Sequence, residues 1–205
     1  MYRKFVTFEG YDGSGKSTLI ETVRTRLSEK DIRVVGRKAE PELLGISRVV
    51  EREDLRPHPE VELLLRISLE AERKYVIEQA LLDHDMVICD RAVISLLSWF
   101  GYLQVEREQF EPLLQKLVDY HRNSVTIVCN ADFDTCWSRI GDKSSKSWKE
   151  RQGVDANRRY FGMYEESIRL YKDAEADLVF VDTAGLSVDE SAAQIVDALV
   201  SRGVC

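Results

Sequence analysis

Residues 10–17 read Gly-Tyr-Asp-Gly-Ser-Gly-Lys-Ser, which matches the pattern G-x-x-x-x-G-K-[ST] in full. A strand-like run containing Phe5, Val6 and Phe8 leads directly into this segment. Behind it, Ile20 and Val23 begin an apolar repeat at helical spacing. A glycine-rich turn between a strand and a helix predicts a loop that holds phosphate groups, the P-loop.

Each residue type in this phosphate loop has a chemical reason. Glycine at 10, 13 and 15 permits backbone angles and close approaches that a side chain would block, so successive N–H groups can face phosphate oxygens. We expect Lys16 to bring a full charge to the β and γ oxygens, and the Ser17 hydroxyl to reach Mg²⁺. The predicted donor is therefore ATP with Mg²⁺. Its phosphates are expected to contact Gly10, Asp12, Gly13, Ser14, Gly15, Lys16, Ser17 and Thr18.

Five short apolar segments alternate with helical patterns along the chain, which predicts a parallel sheet covered by helices on both faces. The predicted strands are residues 4–9, 32–38, 86–90, 125–130 and 178–182. The predicted helices are residues 17–30, 59–84, 93–103, 106–122, 132–140, 154–172 and 187–202. We therefore expect an α/β, P-loop NTPase-type three-layer fold with a five-stranded parallel sheet, forming one domain over residues 1–205.

The charge balance of the chain limits its partners. The formal net charge is −7 and charged residues make up 32% of the 205 residues. Such a surface repels nucleic-acid backbones at long range, although a local basic cluster can still hold a small anion. We expect small-molecule phosphate chemistry, with no nucleic-acid partner.

Cysteine usage and the N-terminal residues point to a reducing compartment. The four cysteines, at 89, 129, 136 and 205, form no C-x-x-C pair and have no histidine at metal-ligand spacing. We expect free thiols that pack as small apolar groups. The chain begins with strand-like residues, and no run of about 18 apolar residues occurs. We expect a cytoplasmic protein with no membrane association.

Residues 141–153 break the apolar pattern and contain Lys143, Lys146, Lys149 and Arg151. A solvated basic loop is one interpretation. We favour a mobile cationic lid, because a phosphotransferase must exclude water and neutralise charge around the transferred group. Arg151 is a candidate catalytic residue of this lid.

Two residues at the end of the third predicted strand, Asp90 and Arg91, are placed for phosphate chemistry. Asp90 ends the run Met86 to Cys89, at the sheet edge from which the phosphate loop emerges. It is the second candidate ligand of the metal, beside Ser17. Arg91 can contact a phosphoryl group in bidentate fashion. A simple ion pair at the strand end is the alternative interpretation of both residues.

Together these segments resemble the thymidylate kinase family of nucleoside monophosphate kinases. Residues 8–18 resemble its phosphate loop, residues 87–91 followed by Ser95 resemble its Asp-Arg motif, and Glu40-Pro41 resembles its Glu-Pro element. The basic segment and the following helix, with Tyr164 and Tyr171, resemble its lid region. The resemblance implies ATP–Mg²⁺ as donor, a homodimer, and a role for Asp12 in holding the sugar hydroxyl of the acceptor.

The positions expected to bind the acceptor differ from the family pattern, so the acceptor stays open. The long helix has Arg66 and Arg73 on either side of residues 65–70, where the family carries an aromatic residue and an arginine. Trp99 and Phe100 stand in the segment after the Asp-Arg motif. Either can stack on a planar acceptor, although aromatic residues on a helix also form core. The candidate acceptor residues are Asp12, Glu40, Arg66, Arg73, Arg91, Ser95, Trp99 and Phe100.

Two kinds of acceptor follow from this set. A nucleoside monophosphate brings about two negative charges, which several cations must offset. A nucleoside or another hydroxyl compound instead needs a general base, for which Glu40 is the candidate; a solvated loop carboxylate is the other interpretation of Glu40. A nucleotide-hydrolysing switch, or a homologue that binds nucleotide without transferring phosphate, is a third possibility, but the chain has no Asn-Lys-x-Asp string for guanine.

Overall fold

The computed structural model describes residues 5–37, 40–52, 56–174 and 176–205. The strands are β1 (Phe5–Glu9), β2 (Ile32–Gly36), β3 (Met86–Asp90), β4 (Val125–Asn130) and β5 (Asp177–Asp182). The helices are α1 (Lys16–Arg26), α2 (Pro41–Val50), α3 (Pro59–Asp83), α4 (Val93–Leu103), α5 (Glu111–His121), α6 (Phe133–Gly141), α7 (Val154–Asp173) and α8 (Val188–Ser201). Two short 3₁₀ turns cover Glu108–Phe110 and Glu150–Gln152.

All five strands pair in parallel, in the order β2-β3-β1-β4-β5. This confirms the predicted α/β fold with a five-stranded parallel sheet. β1 is central, and its register places Phe8 beside Asp90 on β3. The phosphate loop therefore leaves β1 next to the end of β3, in the crevice where ligands of open α/β sheets bind.

Burial on both faces of the sheet explains the apolar strands. Every residue of β1 is buried. Val6 and Phe8 pack on the side covered by α1 and α8, whereas Phe5 packs on the opposite side. A strand that alternates between two covered faces has no solvent side, so its sequence is almost continuously apolar.

Helix α2, which was not predicted from the sequence, follows directly after Glu40. Pro41 occupies its first turn, and the buried Leu43, Ser47 and Val50 share one face. Proline at the first helical position and apolar residues at i and i+7 are helix signals. The predicted helix over residues 106–122 was also too long at its start, because the α-helix begins at Glu111, one residue before Pro112.

The predicted strand ends at Lys4 and Lys38 lie outside the described residues. Cys89, Cys129 and Cys136 are buried and Cys205 is half-buried, all as free thiols. Burial raises the pKa of the Cys89 and Cys129 thiols to about 12. Across the described ranges, no helix combines the length and apolar character needed to span a bilayer.

Candidate active site

The phosphate loop connects the end of β1 to the start of α1. Gly13 and Gly15 both have φ of +84°, which favours glycine. A Cβ added to Gly13 would also lie 2.3 Å from the carbonyl oxygen of Cys136 on α6. Gly15 precedes α1 and no side chain caps this helix end. The first N–H groups of the helix, which have no intrahelical partner, are thus available to an anion.

The other residues of the loop support this turn. The backbone N–H of Ser14 donates to the carbonyl of Tyr11 over 3.1 Å. Gly10 lies against Ser14, because a Cβ at Gly10 would fall 2.3 Å from the Ser14 hydroxyl oxygen. Ser17 and Thr18 are exposed at the start of α1. Their hydroxyl groups are therefore accessible from solvent beside the loop.

Lys16 and Asp90 meet at the end of the sheet. Nζ of Lys16 lies 3.0 Å from Oδ1 of Asp90, and the lysine side chain is 8% exposed. That carboxylate oxygen is enclosed and accepts no aligned hydrogen bond within the described residues. Burial opposes ionisation of Asp90, but the charges of Lys16 and Arg91 outweigh it and hold the pKa of Asp90 below its usual range. Asp90 is therefore ionised at neutral pH.

Arg91 is held in a strained backbone conformation beside the phosphate loop. Its φ is +69°, which is uncommon for a residue with a side chain. Its Nη1 donates to the carbonyl of Gly10 over 2.9 Å and to the Ser95 hydroxyl over 3.2 Å, and its Nη2 pairs with Asp12. Asp12 and Asp90 raise the pKa of Arg91 above its ordinary value despite burial.

Glu9 anchors the loop that follows β3, a role that sequence reasoning missed. This glutamate is fully buried and accepts hydrogen bonds from the backbone N–H groups of Ala92 and Ser95, over 2.8 and 3.1 Å. It also accepts from the Ser95 hydroxyl over 2.6 Å. Its place at the end of a buried strand was the available signal, since a buried charge requires partners.

The predicted lid, residues 141–153, reaches the phosphate loop through Lys149. Nζ of Lys149 lies 2.6 Å from Oδ2 of Asp12 and 3.8 Å from the centroid of the Tyr160 ring. Burial lowers the pKa of Lys149 to about 8, against the opposing pull of Asp12. Burial also opposes ionisation of Asp12, but Lys149 and Arg91 hold the pKa of Asp12 well below its usual range. Residues 141–153 are thus tied to the phosphate loop by a partly buried ion pair.

A cavity of about 550 Å³ lies between the phosphate loop, α3, α4 and the lid. We call it the central cavity. Among the described residues, nine basic and five acidic side chains line it, an excess of four positive charges in a chain of net charge −7. The basic ones are Arg37, Arg56, Arg66, Arg73, Arg91, Lys143, Lys146, Lys149 and Arg151. All four basic residues of the predicted lid are in this set.

Six of the eight predicted acceptor residues line the central cavity, namely Asp12, Arg66, Arg73, Arg91, Ser95 and Trp99. The guanidinium of Arg66 lies 3.5 Å over the ring of Trp99 and donates to Glu62 over 2.6 and 3.1 Å. Burial lowers the pKa of Arg66 to about 10. Arg73 is only 1% exposed and donates to the carbonyl of Arg91. This hydrogen bond stabilises the backbone conformation of Arg91.

The structure does not bring Glu40 or Phe100 to the central cavity. Glu40 is 3% exposed and pairs with Arg33 on β2 over 2.8 Å. Phe100 lies in the core, 5.5 Å from the centroid of the Phe110 ring. Neither is among the described residues that line the cavity. α4 turns only one of its two neighbouring aromatic residues, Trp99, toward the site.

A second cavity, of about 260 Å³, lies on the other side of the phosphate loop. Gly15, Thr18, Arg139 and Thr183 are among the residues that line it. Arg139 on α6 donates to the carbonyls of Gly13 and Thr183, over 3.3 and 2.8 Å. Its guanidinium therefore bridges the phosphate loop and the segment after β5.

Comparison with known proteins decides the family. The model of the family described as thymidylate kinase matches residues 8–195, which is most of the chain. The chain belongs to the thymidylate kinase family. It is therefore a P-loop phosphotransferase, as the phosphate loop predicted.

Individual thymidylate kinases resemble the chain over most of its length. The thymidylate kinase of Finegoldia magna is 27% identical over 98% of this chain and 99% of the relative. That of Methylococcus capsulatus is 31% identical over 73% of this chain and 74% of the relative. The crystal structure of thymidylate kinase from Ehrlichia chaffeensis has a TM-score of 0.70 and 19% identity, covering 98% of this chain and 100% of that one. This last likeness shows the shared fold.

Several residues at the site of this thymidylate kinase family member were not identified from the sequence. Arg37 follows β2 and Arg56 precedes α3. Both line the central cavity, although they are far in sequence from the phosphate loop and from residues 141–153. Glu70 and Tyr160 line the same cavity from α3 and α7. Arg139 lies on the amphipathic helix α6, where nothing in the sequence distinguishes it from an ordinary surface arginine. Only the i, i+4 spacing of Arg66 and Glu70 was available as a signal in the sequence.

Proposed function

We propose that this protein transfers the γ-phosphoryl group of ATP to a nucleoside monophosphate. The observation that carries this proposal is the excess of four positive charges among the described residues that line the central cavity. An acceptor with its own phosphate brings about two negative charges close to the triphosphate, and the repulsion must be offset locally. A neutral hydroxyl acceptor would require no such lining.

The phosphate loop and the second cavity support ATP as the donor. The open helix end at Gly15 and the buried ammonium of Lys16 suit the triphosphate. The second cavity adjoins the loop at Gly15 and Thr18 and has a volume suited to a nucleoside. There the planar guanidinium of Arg139 suits stacking on a base.

Magnesium fits the oxygen donors beside the loop. Within the described residues, no group of three His, Cys, Asp or Glu side chains could hold a metal ion. Mg²⁺ bound with a nucleotide commonly takes only one or two protein oxygens, with phosphates and water completing its shell. The hydroxyl oxygen of Ser17 and Oδ1 of Asp90 are candidate ligands of this kind. Oδ1 of Asp90 is enclosed and accepts no aligned hydrogen bond within the described residues. When bound, the ion would neutralise charge on the phosphates.

The residues of the chain would then act by placing charge around the transferred group. Lys16 and Arg91 approach it from the sheet edge, and the lid cations Lys149 and Arg151 approach it from the other side. Charge spreads over the phosphoryl oxygens in the transition state, so fixed cations stabilise it more than the ground state. Asp12 keeps Arg91 and Lys149 in place.

The general-base role considered for Glu40 has no support in the geometry, because one oxygen of that buried carboxylate pairs with Arg33, the other is enclosed, and the residue is not among the described residues that line the cavity. A monophosphate acceptor needs no such base, since its attacking oxygen is already ionised near neutral pH. The alternative, a neutral hydroxyl acceptor, is therefore left without a candidate general base.

A panel of acceptors tests the proposal. Nucleosides and their monophosphates are supplied separately with ATP and Mg²⁺, and formation of ADP is followed with Lys16→Ala as the control. We expect turnover with at least one monophosphate and a loss of turnover in the control. Turnover of unphosphorylated nucleosides alone would contradict the proposal.

A homodimer and a cytoplasmic location are further proposals, supported by the resemblance to the family and by the free thiols. Light scattering of the purified protein tests the first and cell fractionation tests the second. A monomeric mass, or recovery outside the cytoplasm, would contradict them.

A further inference from the structure

Glu70 is a buried carboxylate at the central cavity, and among the described residues its only close partner is the guanidinium of Arg73. The residue is 7% exposed and lines the cavity. Its Oε2 atom is enclosed and accepts no hydrogen bond within the described residues. The nearest cation is Nη1 of Arg73, at 3.2 Å. The guanidinium of Arg73 also serves the carbonyl of Arg91.

A buried carboxylate in this state is costly unless a donor reaches it. Leaving a buried polar group without a partner costs several times more than an average hydrogen bond contributes. Burial raises the pKa of Glu70, and Arg73 only partly opposes that effect. Because Oε2 is enclosed, a ligand in the cavity would reach the other oxygen, Oε1, to which no donor of the described residues forms a hydrogen bond.

Arg66 lies one helical turn before Glu70 and offers a flat surface to the same ligand. Its guanidinium is fixed between the carboxylate of Glu62 and the ring of Trp99. Trp99 is covered by Arg66 on that face, so the outer surface available for stacking is the guanidinium plane. Nucleobases stack on arginine planes.

Residues four apart on a helix share one face, so a base that lies on Arg66 has its edge within the reach of Glu70. We propose that the acceptor carries a base with an exocyclic amino group, which donates to Glu70 while the ring stacks on Arg66. Cytosine, adenine and guanine carry such a group. Thymine and uracil have only the ring N3–H as a donor on this edge, and the carbonyl oxygens on both sides of it would repel a carboxylate. This inference rests on the proposed function and narrows it to one class of acceptor.

The test compares kcat/KM for a panel of monophosphates, namely dTMP, UMP, CMP, dCMP, AMP and GMP, with ATP–Mg²⁺ at saturation. In the wild-type protein we expect at least one amino-bearing monophosphate to exceed dTMP and UMP by about tenfold or more, since a site built for a hydrogen bond rejects analogues that lack it. A higher kcat/KM for dTMP or UMP than for every amino-bearing monophosphate would overturn the inference.

The matched variants are Glu70→Gln and Glu72→Gln. Glu72 is on the same helix and is absent from the described lining of the cavity. Glu70→Gln should reduce the preference for the amino-bearing acceptor about tenfold, because its amide can donate to a carbonyl oxygen, and it should leave the KM for ATP unchanged. Glu72→Gln should preserve the preference.

Equal acceptor ratios in both variants would overturn the inference while the proposed function stood. If no monophosphate in the panel accepted the phosphoryl group, the proposed function would fall, and the inference with it. Melting temperatures show whether Glu70→Gln folds; if it does not, the wild-type ranking alone decides.

Discussion

Nζ of Lys149 in the lid lies 2.6 Å from Oδ2 of Asp12 in the phosphate loop. Asp12 also pairs with Arg91, so one carboxylate holds a cation from the lid and a cation from the end of β3. The position of the lid is thereby linked to the charge on Lys149.

We predict that activity falls at alkaline pH through loss of this charge. Burial lowers the pKa of Lys149 to about 8, so its ammonium deprotonates as the pH rises through 8, whereas Asp12 stays ionised. The kcat/KM profile reports the free enzyme and should show a descending limb near pH 8. Lys149→Arg should move this limb upward by at least about one pH unit, because arginine keeps its proton.

Lys146→Arg, also in the lid and at the cavity, is the matched control and should leave the limb in place. If the descending limb stays at the same pH in Lys149→Arg, the charge of the Lys149–Asp12 ion pair does not control activity, which would contradict this prediction.

We predict that Lys16→Ala and Asp90→Asn each reduce kcat by about a hundredfold or more. Removal of one preorganised charge from a transition state typically has an effect of this size. Both variants lose the 3.0 Å ion pair. Steady-state rates with ATP–Mg²⁺ measure the effect, and Lys116→Ala, on the exposed side of α5, is the control. Near-wild-type rates in both variants would remove the assignment of these residues.

We predict that Gly13→Ala destabilises the fold more than Gly15→Ala does. Both glycines have φ of +84°, so both variants carry the backbone strain. Only at Gly13 would the new Cβ meet another backbone, at 2.3 Å from the oxygen of Cys136, whereas Gly15 has open space. The additional loss in free energy of unfolding should be about 1–3 kcal/mol. Urea denaturation measures it, and equal losses would show that packing against α6 is unimportant.

We predict that His121 makes the fold sensitive to acid. This histidine is 1% exposed, and burial, aided by Arg73, lowers its pKa to about 3. As the pH falls below the ordinary value of about 6.5, the unfolded chain binds a proton that the folded state does not. Stability is therefore complete above that pH and declines by up to about 1.4 kcal/mol per pH unit below it, toward pH 3.

The measurement is the free energy of unfolding at pH 7.5, 6 and 5. His121→Leu should flatten the decline, whereas His58→Gln, at an exposed position, should retain it. A decline of the same slope in His121→Leu would assign the acid sensitivity to other groups.

Local signals in the sequence were enough for the fold and for one half of the site. β3, β4 and α4 have the predicted bounds, because buried strands and an apolar helix leave continuous or periodic apolar runs. The phosphate loop is predictable for a different reason. Its backbone adopts positive φ at residues 13 and 15, and glycine, which tolerates this conformation best, is found at both positions.

The acceptor side depends on contacts between distant segments, which leave no local pattern. Arg66 reaches Trp99 from another helix, and Lys149 reaches Asp12 from the lid. Glu40 and Phe100 were expected at the site from their positions beside a motif, yet one pairs with Arg33 and the other packs on Phe110. Neighbourhood in sequence does not determine which side of a helix or loop faces a cavity.

The most direct test of the account is a crystal structure with Mg²⁺ and a non-hydrolysable ATP analogue. The β and γ phosphates should lie against the backbone N–H groups of residues 13–18 and the ammonium of Lys16. An analogue bound elsewhere, or a phosphate loop whose N–H groups face away from it, would contradict the account.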